Sequence, residues 1–233
     1  VGVFSVLVTP FNDDNTINYT DIDNWLSIQL KSNISGFVLH GTTSESPTLS
    51  DHEKISITQH VHNKMPTNKY LIAGIGGNNT TGCILFANQI LKYCNAVMLT
   101  VPNYNKPTQH GLFLHFKTIC DAIYPKPVIM YNVPSRCGVN LEPPTIQQIV
   151  NSCKNVVGLK DASGGVDQMI EIMHLCPRLL IYAGDDKLIL DTLVHGGVGV
   201  ISVASNIVPN LVANIVDYCL TGNFYEARNL YYE

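Results

Sequence analysis

Short runs of apolar, β-branched residues recur along the chain at 3–9, 36–41, 70–76, 96–102, 127–133, 156–163, 179–185 and 198–204. Most are hydrophobic throughout rather than alternating with polar residues, the pattern of parallel strands covered on both faces. Between them the period lengthens. Ile22, Trp25, Leu26 and Leu30, and again Ile84, Leu85, Ala87, Ile90 and Leu91, return at helical spacing with polar residues opposite. Residues 51–62 are expected to form a helix with an acidic first turn, and Thr20 and Thr145 are expected to cap two others. Eight strand–helix units in series predict an α/β fold closed into a (β/α)8 barrel; an open doubly wound sheet, the runner-up, rarely uses so many strands. The barrel is assigned to residues 1–222, with 209–220 as its eighth helix. Residues 223–233 are read as the start of a C-terminal helical extension. The chain opens at Val1 without a methionine and stops inside that helix, so further sequence is expected beyond it.

Composition changes this picture little but removes several functions. Hydrophobic residues make up 45% of the 233 and charged residues 14%, a balance suited to one extensive core. The net charge is −4 and the Lys and Arg residues are scattered, so there is no basic stripe for a phosphate backbone and nucleic acid is not an expected partner. No apolar run approaches the ~20 residues of a membrane helix. No leader pattern opens the chain, and a cytoplasmic address is the default expectation. The seven cysteines (83, 94, 120, 137, 153, 176 and 219) are odd in number and form no CxxC pair, which indicates reduced thiols rather than disulfides or a zinc site.

In a barrel of this kind active sites lie at the C-terminal ends of the strands. Polar residues collect there: Gly41-Thr42-Thr43-Ser44-Glu45 after the second run, Pro102-Asn103-Tyr104-Asn105 after the fourth, Tyr131 to Arg136 after the fifth, and Gly184-Asp185-Asp186 after the seventh. The sixth contains Lys160, flanked by Val156-Val157-Gly158-Leu159 and by Ala162. An ammonium group inside an apolar strand is desolvated. Its pKa falls, and a neutral amine is what attack on a keto carbonyl requires. The bland alternative is a structural lysine paired with Asp161 or reaching to the rim. Tyr131 could relay protons through hydroxyls such as those of Thr42, Thr43 and Tyr104, although threonines also cap helices and tyrosines also fill barrel mouths. Arg136 has a fork suited to a carboxylate, or to an ordinary surface ion pair. Asp185 and Asp186 project in different directions without helper ligands, so they are read as bracing a loop rather than binding metal. Gly74-Ile75-Gly76-Gly77 lacks the third glycine of a dinucleotide fingerprint and is read as a tight turn. His40, His110 and His115 have no metal-ligand spacing.

Taken together, VTPF from Val8, GTTSES from Gly41, IAGIGGNNT from Ile72, NYNKPTQHG from Asn103, YNVPSRCG from Tyr131, GLKDASG from Gly158, AGDD from Ala183 and GVISVASN from Gly199 resemble, in order and spacing, the dihydrodipicolinate synthase and N-acetylneuraminate lyase family of pyruvate-dependent class I aldolases. The resemblance runs from Phe4 to the end of the chain. It implies that Lys160 forms an imine with pyruvate, that Tyr131 shuttles the proton, and that Thr43 and Tyr104 complete a hydroxyl relay. Tyr104 would reach into a neighbouring subunit, implying at least a homodimer and usually a homotetramer. Thr42 and Thr43 would hold the pyruvate carboxylate, the backbone carbonyl of Ile201 would face the reacting centre, and Gly184 would belong to the substrate-binding set. The doubled threonine and Arg136 look like the synthase branch, where the arginine binds the carboxylate of aspartate semialdehyde. No metal or organic cofactor is implied, only the covalent imine on Lys160.

The sequence departs from the family pattern at several points. Ser44 replaces a usual glycine, which would crowd the pyruvate carboxylate or shift the turn. Asn103 replaces the first of a tyrosine pair. Asp51, Lys54 and Gly82 stand where lysine-inhibited members carry His and Glu, so lysine feedback is not expected. Three functions therefore remain open: condensation of pyruvate with L-aspartate 4-semialdehyde, cleavage of a sugar-derived 2-keto acid by a sister aldolase such as N-acetylneuraminate lyase or 2-keto-3-deoxygluconate aldolase, and an inactive barrel that binds a metabolite or a partner.

Overall fold

The structure is a computed structural model that describes residues 1–232. Eight parallel strands close into a barrel in chain order, each paired to the next and β8 paired back to β1. They are β1 (Gly2–Val6), β2 (Gly36–Leu39), β3 (Tyr70–Gly74), β4 (Ala96–Thr100), β5 (Val128–Asn132), β6 (Val156–Asp161), β7 (Leu180–Ala183) and β8 (Gly199–Ser202). Seven strands lie within the runs expected from the sequence, and β1 begins one residue before its run, at Gly2. The runs extend past most strands because the loops leaving the barrel are also partly apolar.

Around the barrel lie α1 (Tyr19–Gln29), α2 (Asp51–His62), α3 (Thr80–Ile90), α4 (Gln109–Ala122), the single turn α5 (Pro134–Cys137), α6 (Pro143–Ser152), α7 (Val166–Leu175), α8 (Ile189–Val194), α9 (Pro209–Leu220) and α10 (Phe224–Tyr231). The helix starts correct two expectations. Asn18, not Thr20, caps α1, its side-chain oxygen accepting from the amide of Asp21 at 3.0 Å. Thr145 caps nothing: α6 follows Glu142 and opens on Pro143-Pro144, whose rings preset the helical φ and carry no N–H to satisfy. The acidic start of α2 is as expected and is reinforced by a capping box between Ser50 and Glu53.

The packing explains the unbroken hydrophobic runs, since both faces of each strand are covered. One cluster joins β3 to β7 with the inner faces of α3, α4, α6 and α7, through Phe86, Phe116, Ile119, Ile149 and Ile172. A second joins β1 and β2 to α1, α9 and α10 through Ile22, Leu26, Phe37, Val212, Val216 and Ala227. In this second cluster Trp25 stacks obliquely on Phe37 at 5.0 Å and donates its indole N–H to Asn206 at 2.8 Å. The last helix, α10, is tied to the barrel by Tyr231, whose hydroxyl donates to the carbonyl of Lys187 at 2.6 Å. Among the described residues no helix is long and apolar enough to cross a membrane.

One glycine shows how tightly the ring closes. Gly36 pairs with Phe4 on one side and Tyr70 on the other, and a Cβ there would stand 2.0 Å from the Tyr70 carbonyl oxygen. The obstruction is backbone, so it cannot rotate away. Gly36→Ala is expected to lower unfolding free energy by about 3 kcal/mol or more, at the upper end of overpacking costs. Ser50→Ala, which removes one cap, should cost about 1 kcal/mol. Urea titrations of both variants check this; equal midpoints would contradict the closure argument.

Candidate active site

Lys160 and Tyr131 are brought together by strand register. β5 and β6 align so that Tyr131 is the partner of Lys160 and Asn132 the partner of Asp161. Successive residues of a strand face opposite ways, so the first pair shares one face and the second pair the other. Lys160 and Tyr131 are each only 5% exposed, and the Lys160 Nζ lies 4.3 Å from the centre of the Tyr131 ring. On the opposite face, Asp161 accepts from the Ser163 hydroxyl at 2.8 Å, with its other oxygen unpartnered. The four ion pairs among the described residues are built on Asp23, Asp51 and Asp121, so the pairing of Lys160 with Asp161 considered from the sequence does not occur.

Burial therefore acts on the amine with little in contact to offset it. It lowers the Lys160 pKa from 10.5 to about 8; the charges of Asp186 and Asp185 pull it back up and that of Arg136 pushes it down. Tyr131 moves the other way. Burial raises its phenol above the ordinary value, opposed by a hydrogen bond with Thr42 and by the charge of Arg136.

Both groups open into a cavity of about 530 Å³ lined by Thr42, Thr43, Tyr131, Val133, Ser135, Arg136, Lys160, Gly184, Asp185 and Val203. It thus gathers six of the eight residues singled out as catalytic or substrate-binding. The other two lie elsewhere in the chain. Ile201 is fully buried within β8, two residues before the lining Val203, and Tyr104 is 87% exposed with φ +64°. An adjoining cavity of about 270 Å³ shares Thr42, Val133 and Arg136 and extends past Asn103 to His40 and Gly76.

Each wall has a local cause. Gly184 closes the β6–β7 side: its N–H donates to Asp161 O at 2.7 Å, and a Cβ there would meet Ala162 Cβ and Asp161 O at 2.7 Å. The Thr42–Thr43 turn lies between two left-handed residues, His40 (φ +58°) and Glu45 (φ +56°). Ser44 anchors it from beneath. Its hydroxyl donates to Leu7 O at 2.5 Å and its carbonyl accepts from Thr9 Oγ1 at 2.7 Å. Of the two consequences considered for Ser44, it therefore serves the turn and leaves the cavity uncrowded. His40 is buried against Thr58 Oγ1 at 2.7 Å, and desolvation lowers its pKa to about 3, so it stays neutral.

Outside the barrel, a chain of side-chain amides holds the loop after β5. Asn132 donates to Asn140 at 2.8 Å and accepts from the Leu141 amide at 3.0 Å, and Asn140 donates to Gln168 of α7 at 2.6 Å.

The loop-bracing role assigned to both aspartates holds for only one. Asp186 accepts from the Ser202 hydroxyl at 2.6 Å and from the amides of Val203 and Ala204 at 3.0 and 2.9 Å. Asp185 instead lines the cavity and takes part in no ion pair. The signal was present in the sequence, because two adjacent side chains that diverge cannot both face the loop. Asp51, Lys54 and Gly82 line a separate cavity beside α3. Among the described residues no three His, Cys, Asp or Glu side chains are grouped to hold a metal ion.

The chain is similar to known proteins over its whole length. The Dihydrodipicolinate synthetase family matches residues 1–233. The 4-hydroxy-tetrahydrodipicolinate synthase of Endomicrobium trichonymphae is 40% identical over 233 residues, an alignment covering 100% of this chain and 79% of that protein. The enzyme of the same name from Methanocaldococcus jannaschii is 36% identical over 235 aligned positions, covering 100% and 80%. Among solved structures, dihydrodipicolinate synthase from Aquifex aeolicus superposes with a TM-score of 0.96 at 32% identity, over 99% of this chain and 79% of that one. The 4-hydroxy-tetrahydrodipicolinate synthase of Methylacidiphilum fumariolicum SolV gives 0.96 at 37% identity, over 99% and 77%. With the match spanning its whole length and an amine–phenol pair at the mouth of its barrel, the chain belongs to the dihydrodipicolinate synthetase family.

Proposed function

We propose that this chain condenses pyruvate with L-aspartate 4-semialdehyde to give 4-hydroxy-tetrahydrodipicolinate, a step of lysine and diaminopimelate biosynthesis, as a class I lyase working through an imine. The observation that carries the reading is the desolvated Lys160 amine beside the Tyr131 phenol, facing a cavity ringed by hydroxyls and one guanidinium.

The neutral Lys160 amine attacks the keto carbon of pyruvate, and loss of water gives the imine. Thr42 and Thr43 hold the pyruvate carboxylate. A proton leaves the methyl carbon to form the enamine, carried by Tyr131 through Thr43 and through a Tyr104 supplied by a second copy of the chain, for which its exposure leaves it free. The enamine carbon then bonds to the aldehyde carbon of the acceptor, whose oxygen takes up a proton and becomes the product hydroxyl. Arg136 binds the acceptor carboxylate, Gly184 forms the wall behind it, and the Ile201 carbonyl faces the reacting centre. Finally the acceptor's own amine attacks the imine carbon, closes the ring and releases Lys160. Each turnover thus yields one water, lost when the imine forms.

In this reading residues 1–222 carry the chemistry and 223–233 begin a further helical region. The working form is a dimer or tetramer in the cytoplasm that needs no metal. The Ser44 hydroxyl is turned to the Leu7 carbonyl, away from the cavity, which supports an active rather than an inactive barrel.

Borohydride added with pyruvate should label this protein at Lys160 by peptide mass spectrometry. Lys160→Ala should lose both label and turnover; a label retained elsewhere in that variant sinks the reading. Tyr131→Phe should reduce turnover by about 10²-fold or more, the span typical of lost acid–base catalysis.

The charge state gives a second test. With a pKa of about 8 folded and 10.5 unfolded, the unfolded chain binds more protons between these values, so the folded state pays a desolvation penalty at neutral pH that disappears as pH rises through this window. Lys160→Met should therefore be the more stable protein at pH 7, by about 3 kcal/mol, with the advantage shrinking above pH 8. The rate of imine formation in the wild type should rise with pH and level off above about 8. A flat rate profile, or a variant no more stable at pH 7, contradicts the buried-amine argument.

A further inference from the structure

Lys160 is flanked in register by a tyrosine on each side. Tyr131 of β5 is its partner on one neighbouring strand and Tyr182 of β7 its partner on the other. Register partners share a face, so both rings lie inside the barrel with the amine. Their surroundings differ. Tyr131 lines the cavity, whereas Tyr182 is buried and is not part of the cavity wall. Its hydroxyl lies 3.2 Å from the nitrogen of Val1, at the end of the barrel opposite the cavity, and its ring meets Phe4 edge-on at 5.8 Å. The condensation proposed above gives it no part.

The residue directly beneath Lys160 is Gly158, two places earlier in β6 and on the same face. It has no side chain to put there. A Cβ at Gly158 would meet the Leu180 carbonyl oxygen at 3.0 Å, the Tyr182 ring at 3.5 Å and Ile129 Cγ1 at 3.6 Å. The space under the amine is thus filled from the neighbouring strands, by Tyr182 from β7 and by Ile129 of β5, two residues before Tyr131. The charges that act on the amine come from the cavity side: Asp185 and Asp186 follow β7, and Arg136 lies on α5 after β5. Asp161, next in the strand, faces the other way. The floor adds no charge, because Phe4 and Ile129 do not ionise and burial pushes the Tyr182 phenol up to about 12.

We infer that Tyr182 is a positioning residue for Lys160: its ring, seated in the space that Gly158 leaves, seals the amine from below, so that water and substrate reach it only through the cavity. The inference rests on the imine chemistry proposed above. Water beneath the amine would solvate its charged form. Keeping water out preserves the desolvation that favours the neutral, nucleophilic form. The two in-register tyrosines then divide the work, one carrying protons in the cavity and the other closing the barrel behind the nucleophile.

The rate of imine formation with pyruvate, followed across pH by cyanoborohydride trapping and mass spectrometry, tests this. Tyr182→Ser brings a hydroxyl and leaves room for water, and Tyr182→Gln keeps more of the volume but sets an amide under the amine. In both, the pH above which the rate levels off should rise by about one unit or more, so that the rate at pH 7 falls about tenfold and recovers at high pH. Tyr182→Phe keeps the ring and should restore the wild-type profile. Circular dichroism shows which variants fold; if Tyr182→Ser does not, Tyr182→Gln is read alone. A rate lowered equally at every pH, with the levelling point unmoved, marks ordinary loss of packing and overturns the inference. So does a Tyr182→Phe profile displaced as far as the others. Wild-type protein that traps no pyruvate at any pH overturns the imine reading itself, and this inference with it.

Discussion

Burying an ammonium ion costs several kcal/mol unless a counter-charge accompanies it, and Lys160 has none in contact. The strain shows as a pKa lowered to about 8, which makes the proton easier to lose, and the rest of the site follows from that. The amine is held beside the Tyr131 phenol by the register of two neighbouring strands rather than by a flexible loop. Closing the barrel makes that register rigid, because slipping one strand would displace its hydrogen bonds to both neighbours. Asp185 and Asp186 form no ion pair with the amine, so they temper its pKa without pairing with it.

The same alternation that turns Lys160 and Tyr131 inward turns Asp161 and Asn132 outward. Each strand therefore carries its chemistry on one side and its support on the other. Asn132 ties down the loop that carries Arg136, Gly184 lets β7 approach β6 closely, and Ser44 fixes the threonine turn to the exit of β1. The cavity walls are set by hydrogen bonds on their far sides, which leaves the near sides free for a ligand.

The barrel was legible from the sequence because strands covered on both faces produce long apolar runs, and eight of those separated by helical periods admit few other architectures. Lys160 was legible for the opposite reason, as a charge where the pattern demands hydrocarbon. The family resemblance then supplied roles for residues whose types alone were ambiguous, such as Thr43 and Tyr104. The helix starts at Asn18 and Glu142 were misplaced because several capping residues cluster there, and only backbone geometry selects one of them. The roles of Asp185 and Asp186 could not be separated by residue type, since adjacent carboxylates are chemically identical until the turn decides which faces the cavity. Nor could the sequence show that the serine at 44 points away from the cavity, because that depends on the carbonyl of Leu7, just past β1 and far off in the chain.

The amide chain from Asn132 through Asn140 to Gln168 has one property that carboxylates or histidines in the same places would lack. Carboxamides neither gain nor lose a proton anywhere in the range where proteins fold. As acidity changes, these amides keep their donors and acceptors while the electrical state of the amine in front of Tyr131 varies.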